Sequence, residues 1–309
     1  MQWVAVLLLL IAGVLVSAIV TRSRLEALGV PILLAGGWFS IVFAAGGDNY
    51  PWAAVGLIAL VPLAGGTDPD TSRAWTTRLA AIALAILLLA LVHDDALTGT
   101  AEIMIFIAVA AAMVAFVVAG SETNRVAGVG GAQLVCVLLG VAALAADRLL
   151  WGAPINLPTL IAGIVLGMLV MCKPFGAKIM PNAARDAASV LTAWLLGDLA
   201  LQGLYVPAVI LAAPAALEIA IWLMHAGTAE RGPERKDDDR PHGLYVEAER
   251  RGRDRRRMLM ATFLAGTVTI VLALGAARGE TMAALAGTLA LMWMLQRYLW
   301  RLMPEKRRT

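Results

Sequence analysis

Charge is scarce in this chain: Asp, Glu, Lys and Arg together make up 15% of its 309 residues, where a soluble globular chain carries about a quarter. That deficit argues against an ordinary water-soluble domain. Cysteine is scarcer still. Cys136 and Cys172 both sit in or at the end of apolar runs, which argues against a disulfide scaffold or a thiolate metal site and reads both as small buried residues. Alternation of apolar and polar residues at period two is missing from runs such as 79–92, so the spans do not read as barrel strands. No convincing internal repeat is found and mid-span charges are few, both of which weigh against an ion-coupled transporter. The basic stretches lack an aromatic stacking pattern or a recognition motif, so nucleic acid is not an expected partner. The first apolar run lacks a basic leader and a cleavage site, and is expected to be a retained helix.

What the chain does have is length of apolar sequence. The composition is 60% hydrophobic and the mean hydropathy is +0.79. A bilayer core about 30 Å thick needs roughly 20 helical residues, and helices are expected near 2–20, 29–47, 51–66, 77–93, 101–119, 129–147, 157–172, 187–201, 204–225, 258–277 and 281–302. The expected fold class is therefore all-α: one polytopic transmembrane domain, 1–309, of about 11 helices.

Basic residues set its expected orientation, because they accumulate in cytoplasmic loops. Arg22 and Arg24, Arg73 and Arg78, Arg125, Lys173 and Lys178, and the stretch ending in Arg255, Arg256 and Arg257 follow alternate helices. The opposite connections carry Asp48, then His93, Asp94 and Asp95, and later Asp147 with Arg148. This places the N-terminus outside and the tail with Lys306, Arg307 and Arg308 in the cytoplasm, as in a multi-pass protein of the bacterial inner membrane. The hydrophilic loop 227–257 is expected to be cytoplasmic, with a short amphipathic surface helix over 247–258. Its arginines suit anionic headgroups.

Five polar segments fall on the cytoplasmic side of this topology: 29–37 (GVPILLAGG), 65–78 (GGTDPDTSRAWTTR), 120–133 (GSETNRVAGVGGAQ), 172–189 (CKPFGAKIMPNAARDAAS) and 237–245 (DDDRPHGLY). Their order resembles that of the polyprenyl-phosphate N-acetylhexosamine-1-phosphate transferases, the superfamily that includes phospho-N-acetylmuramoyl-pentapeptide transferase (glycosyltransferase family 4). Val30, Pro31, Gly36 and Gly37 resemble the family's first proline and glycine-pair loop. Asp68 and Asp70 flank Pro69 where the family has an adjacent aspartate pair, and Arg78 follows as its basic residue. Asn124, Gly128 and Gly131 keep the frame of N-x-x-D-G-x-D-G, while Ala127 and Gly130 replace its aspartates. Ala177, Lys178 and Ile179 begin a segment similar to A-K-I-F-x-G-D-x-G-S. With three inserted residues Asp186 takes its aspartate position and Ser189 its serine; without them Ala183 does. Asp239, Arg240 and His242 resemble the start of D-R-x-H-x-H-H, whose last two histidines are here Leu244 and Tyr245.

The resemblance implies enzymes that move a sugar-1-phosphate from a UDP-sugar to undecaprenyl phosphate with magnesium. Magnesium wants hard oxygen ligands, and Ala127 and Gly130 supply none. The expected function is that of a non-catalytic homologue, with no catalytic residue, metal or cofactor expected. It would bind polyprenyl phosphate or another anionic membrane lipid through Asn124, Lys178, Arg185, Arg240 and His242, or serve as a scaffold for a cell-envelope membrane protein or a second copy of itself. An active transferase is the alternative, with Asp68, Asp70 and Asp186 gathered around Mg; a lipid transporter or flippase is the third class. Each polar residue also has a plainer reading: Asp68, Asp70 and Asn124 as turn or cap residues, Lys178 and Arg185 as positive-inside anchors, Arg240 and His242 as solvated loop residues.

Overall fold

A computed structural model describes residues 72–94, 99–123, 129–150, 182–228, 243–250, 252 and 254–300, with isolated positions 54, 58 and 61. The regular structure among the described residues is helical throughout. In chain order the helices are α1 (Ser72–Val92), α2 (Thr100–Thr123), α3 (Val129–Leu150), α4 (Asn182–Leu199), α5 (Tyr205–Thr228), α6 (Leu244–Arg250), α7 (Arg255–Ala277) and α8 (Thr281–Trp300). A π-helical turn, Ala200–Leu204, joins α4 to α5. The helices expected near 2–20, 29–47 and 157–172, most of 51–66, and both chain ends lie outside the described residues.

Among the described residues, five apolar stretches are long enough to cross a membrane: Trp75–Val92, Thr100–Val118, Gly131–Arg148, Asp186–Met224 and Arg255–Ala277. The fourth has 39 residues, which as one straight helix would reach about 58 Å, nearly twice a bilayer core. Gly203, at φ 90° and ψ 6°, breaks it. Only glycine takes that backbone conformation without strain, so α4 ends there and α5 begins as a separate span.

Side-chain links show which helix ends lie together. His93 after α1 meets Asp198 of α4, Arg148 of α3 donates to the Gln202 carbonyl, and Arg278 after α7 pairs with Asp147 of α3. Arg78 near the start of α1 meets Asp186 near the start of α4. Thus α1, α3, α4 and α7 run parallel, as the charge bias predicts, and the His93 end lies opposite the Arg78 end.

At the centre stands α4. Every residue from Asp186 to Ala200 is buried, including Trp194 at 0% exposure. Its neighbours present Ile82, Leu89, Met113, Phe116, Val117 and Leu138 to it in one continuous core. Lipid tails are as apolar as leucine, so helices in a membrane associate through close packing rather than through transfer from water. The α3–α7 contact is built that way. Gly266 of α7 sits directly on Cys136, where an added Cβ would overlap the thiol side chain, and Gly140 of α3 sits on Leu211 of α5 in the same manner.

Several expected boundaries move. Two helices expected at 77–93 and 187–201 instead begin at Ser72 and Asn182, which places Arg185 and Asp186 on a helix rather than in the preceding loop and Arg78 in the second turn of α1 rather than at its start. The surface helix expected over 247–258 is corrected as well: α6 ends at Arg250, a turn follows at Gly252 (φ 79°), and α7 starts at Arg255. Nor is α6 only a surface element, since Leu244, Tyr245 and Ala248 are buried.

Gly266→Ala should lower stability by about 1–3 kcal/mol through overpacking against Cys136. Gly203→Ala should cost about 1–2 kcal/mol through backbone strain alone, because nothing lies within 4 Å of its Cβ position. Asparagine at 203, which tolerates that conformation, should recover part of the loss. Thermal unfolding of the purified protein in detergent measures all three.

Candidate functional site

Asp186, the one expected site side chain among the described residues, lies at the Arg78 end of the bundle. Trp75 and Arg78 are three residues apart on α1 and therefore share a face; the guanidinium lies 4.7 Å from the centre of the Trp75 ring. From there Arg78 reaches α4. Its Nε and Nη2 donate to Asp186 Oδ2 at 3.1 and 3.0 Å, with the two side chains 2% and 6% exposed. Removing two such charges from water costs several kcal/mol each, which mutual attraction and hydrogen bonding offset only while both partners remain. Asp186 is consequently a carboxylate neutralised by a fixed cation. On the same helix, Ser189 Oγ is buried with no partner among the described residues, and so is Gln133 Nε2 in the second turn of α3.

A second buried carboxylate lies on α5. Glu218 is 0% exposed, and its Oε2 accepts the Leu244 backbone N–H at 2.9 Å. Gly243 packs so closely on the carboxylate that a Cβ there would overlap it. Two residues after Gly243, Tyr245 is 1% exposed and its hydroxyl accepts a hydrogen bond from Thr262 Oγ1 of α7 at 3.2 Å. Burial pushes the Tyr245 phenol above its usual range. Leu244 and Tyr245, where the resembled family carries its last two histidines, are therefore inward-facing anchors that hold the start of α6 against α5 and α7.

The third polar cluster lies at the other end. Asp198 accepts from Gln202 Nε2 at 2.7 Å through Oδ2 and pairs with His93 Nε2 at 3.0 Å through Oδ1. Together with the Arg148 bond to the Gln202 carbonyl, at 3.3 Å, these contacts tie α1, α3 and α4 around the helix break. Arg278 is held above its ordinary pKa by the hydrogen bond and charge of Asp147.

Of the residues expected to form the site, the structure places one side chain, Asp186, and brings it to Arg78. Arg185 lies in the first turn of α4 by its backbone. Asp68, Asp70, Asn124, Lys178, Arg240 and His242 lie outside the described residues. Gly130 and Gly131, in the segment that resembles the aspartate-rich motif, form the first turn of α3. Sequence reasoning missed Glu218, although a lone glutamate inside the run AALEIAIW is the signal to look for. It also missed the His93–Asp198 pair.

Between α2, α4 and α5 runs an apolar cleft of about 300 Å³, with Ala112, Phe116, Ala193, Gly197 and Ala212 among its lining residues. It begins two turns along α4 from Asp186. No protein-family model and no curated protein matches this chain.

Asp186→Leu or Arg78→Leu alone should cost about 3–5 kcal/mol by stranding the partner's charge. The double leucine variant should recover much of that loss, giving a non-additive double-mutant cycle in thermal unfolding. Separately, Glu218→Gln keeps an acceptor for Leu244, whereas Glu218→Leu leaves that buried N–H unpaired at a cost of about 1–3 kcal/mol. Limited proteolysis between 229 and 242 should accelerate in the leucine variant and stay near the wild-type rate in the glutamine variant.

Proposed function

We propose that this protein is a non-catalytic homologue of the polyprenyl-phosphate sugar-1-phosphate transferases, and that it holds a polyprenyl phosphate or related anionic lipid at the Arg78 end in the service of cell-envelope glycan or lipid biogenesis. The observation that carries this reading is the Arg78–Asp186 pair. Phosphoryl transfer of the family's kind needs a divalent ion to gather diphosphate oxygens and neutralise developing charge. Magnesium binds through hard oxygen ligands in near-octahedral array. An Asp186 carboxylate that already takes two guanidinium N–H groups on one oxygen, beside a permanent positive charge, does not fit such a shell. Alanine and glycine at 127 and 130 remove further carboxylates from the resembled motif.

Binding does not need the metal. The sequence offers Lys178, Arg185, Arg240 and His242 in the polar segments expected on the cytoplasmic side, and the apolar cleft beside α4 offers room for a lipid chain. Arginine bias favours the cytoplasmic face of a bacterial inner membrane for it.

The purified full-length protein, incubated with a UDP-N-acetylhexosamine, undecaprenyl phosphate and magnesium, should release no UMP above the protein-free rate. It should co-purify with polyprenyl phosphate, measured by lipid mass spectrometry, and lose it when Lys178 and Arg240 are changed to Gln. UMP release that disappears in Asp186→Asn would overturn the non-catalytic reading; absence of bound polyprenyl phosphate would overturn the lipid.

A further inference from the structure

Arg256 and Arg257 open α7 as exposed side chains, immediately before Met258, which is 0% exposed. The apolar span Arg255–Ala277 starts at the same place, so both guanidinium groups stand at the edge of the hydrocarbon layer. Met258 shares a core cluster with Leu295 and Leu299 of α8 and with Leu244, Tyr245 and Ala248 of α6. That packing brings the last turns of α8 to the same edge. There Trp293 is 58% and Tyr298 45% exposed, and the Arg297 guanidinium lies 5.1 Å from the Trp293 ring centre.

Arg256, Arg257 and Arg297 have no acidic partner among the described residues. Exposed acids at this edge are Asp254 and Glu249, and Asp254 makes no side-chain capping bond at the start of α7. Cationic side chains in the first turn of a helix face the positive end of its dipole, so an outside anion is the stabilising partner. The exposed aromatic pair adds an independent sign of depth, because Trp and Tyr settle at headgroup level.

We propose that this edge, with Arg256 and Arg257 on α7 and Trp293 and Arg297 on α8, is a docking surface for anionic phospholipid headgroups. A guanidinium forms paired N–H bonds to a phosphate diester. The acyl chains lie along the exposed apolar flanks beneath, Met260 and Leu264 of α7 and Leu289 and Met294 of α8. Free phosphate would have no use for those flanks. The surface shares no residue with the Arg78–Asp186 pair and is independent of what that site holds.

The test uses the full-length protein in nanodiscs of equal phosphatidylglycerol and phosphatidylcholine, with retained lipids counted by native mass spectrometry after release. Wild type should retain phosphatidylglycerol in preference. Arg256→Gln, Arg257→Gln and Arg297→Gln should each reduce that preference roughly fivefold, with helical circular dichroism unchanged. Raising the salt during exchange should weaken the wild-type preference without any substitution. No preference in the wild type, a preference indifferent to salt, or a folded triple variant that retains phosphatidylglycerol as the wild type does would each overturn the proposal.

Discussion

The burial of α4 on every side is the constraint from which the rest of the described structure follows. A helix surrounded by other helices cannot send a polar side chain to water, so a polar group between Asp186 and Ala200 is costly unless it finds a partner inside the protein, which Ser189 Oγ lacks among the described residues. Thr192 turns back to the Ala188 carbonyl. Asp186 draws Arg78 from α1, and Asp198 draws His93 from the far end of the same helix. Two carboxylates on one helix thus fix the axial register of its neighbour at two heights. Close packing alone would fix that register weakly, because one apolar ridge sliding along another changes little in the energy. Buried ion pairs add little net stability compared with apolar replacements; here they specify which arrangement of α1 against α4 is allowed.

Glu218 solves the same problem for a different element. A seven-residue helix such as α6 does not hold itself in place, since nucleation costs more than so few backbone bonds return. Its start is defined from outside, by a carboxylate on α5 that accepts the Leu244 N–H, and by Tyr245 and Ala248 sunk into the core. Gly243 is required because the carboxylate occupies the space that a Cβ would take. The start of α6 is therefore a point fixed to the membrane bundle, and the turn at Gly252 delivers the chain to α7 three residues later.

Much of this fold was legible in the sequence because a membrane span announces itself within about twenty residues, with no reference to the rest of the chain. α2, α3, α5, α7 and α8 fall within a few residues of their expected bounds, and the grouping of helix ends follows the arginine bias. The starts of α1 and α4 were not legible. The residues that precede the expected starts read SRAWT and NAARD, which hydropathy assigns to loops; just beyond or within these turns Arg78 and Asp186 satisfy each other across 108 positions. The candidate site was legible only as a list of residue types. Nothing local to Asp186 says that an arginine on another helix has claimed it, and nothing local to Leu244 or Tyr245 says that they face inward.

The same pairing bears on what this end of the bundle can do. A catalytic carboxylate must be able to exchange partners during turnover, meeting a metal or a proton at one stage and releasing it at another. Asp186 is held by two hydrogen bonds from one guanidinium, which is itself held against Trp75, in a place where water reaches 6% of the carboxylate side chain. Freeing it would leave Arg78 as an unpaired buried charge, a cost of several kcal/mol added to any barrier that used Asp186. Static electrostatics carries no such cost. A pair that keeps its partners throughout holds α1 against α4 without that cost, and this is the role that the geometry of Arg78 and Asp186 fits.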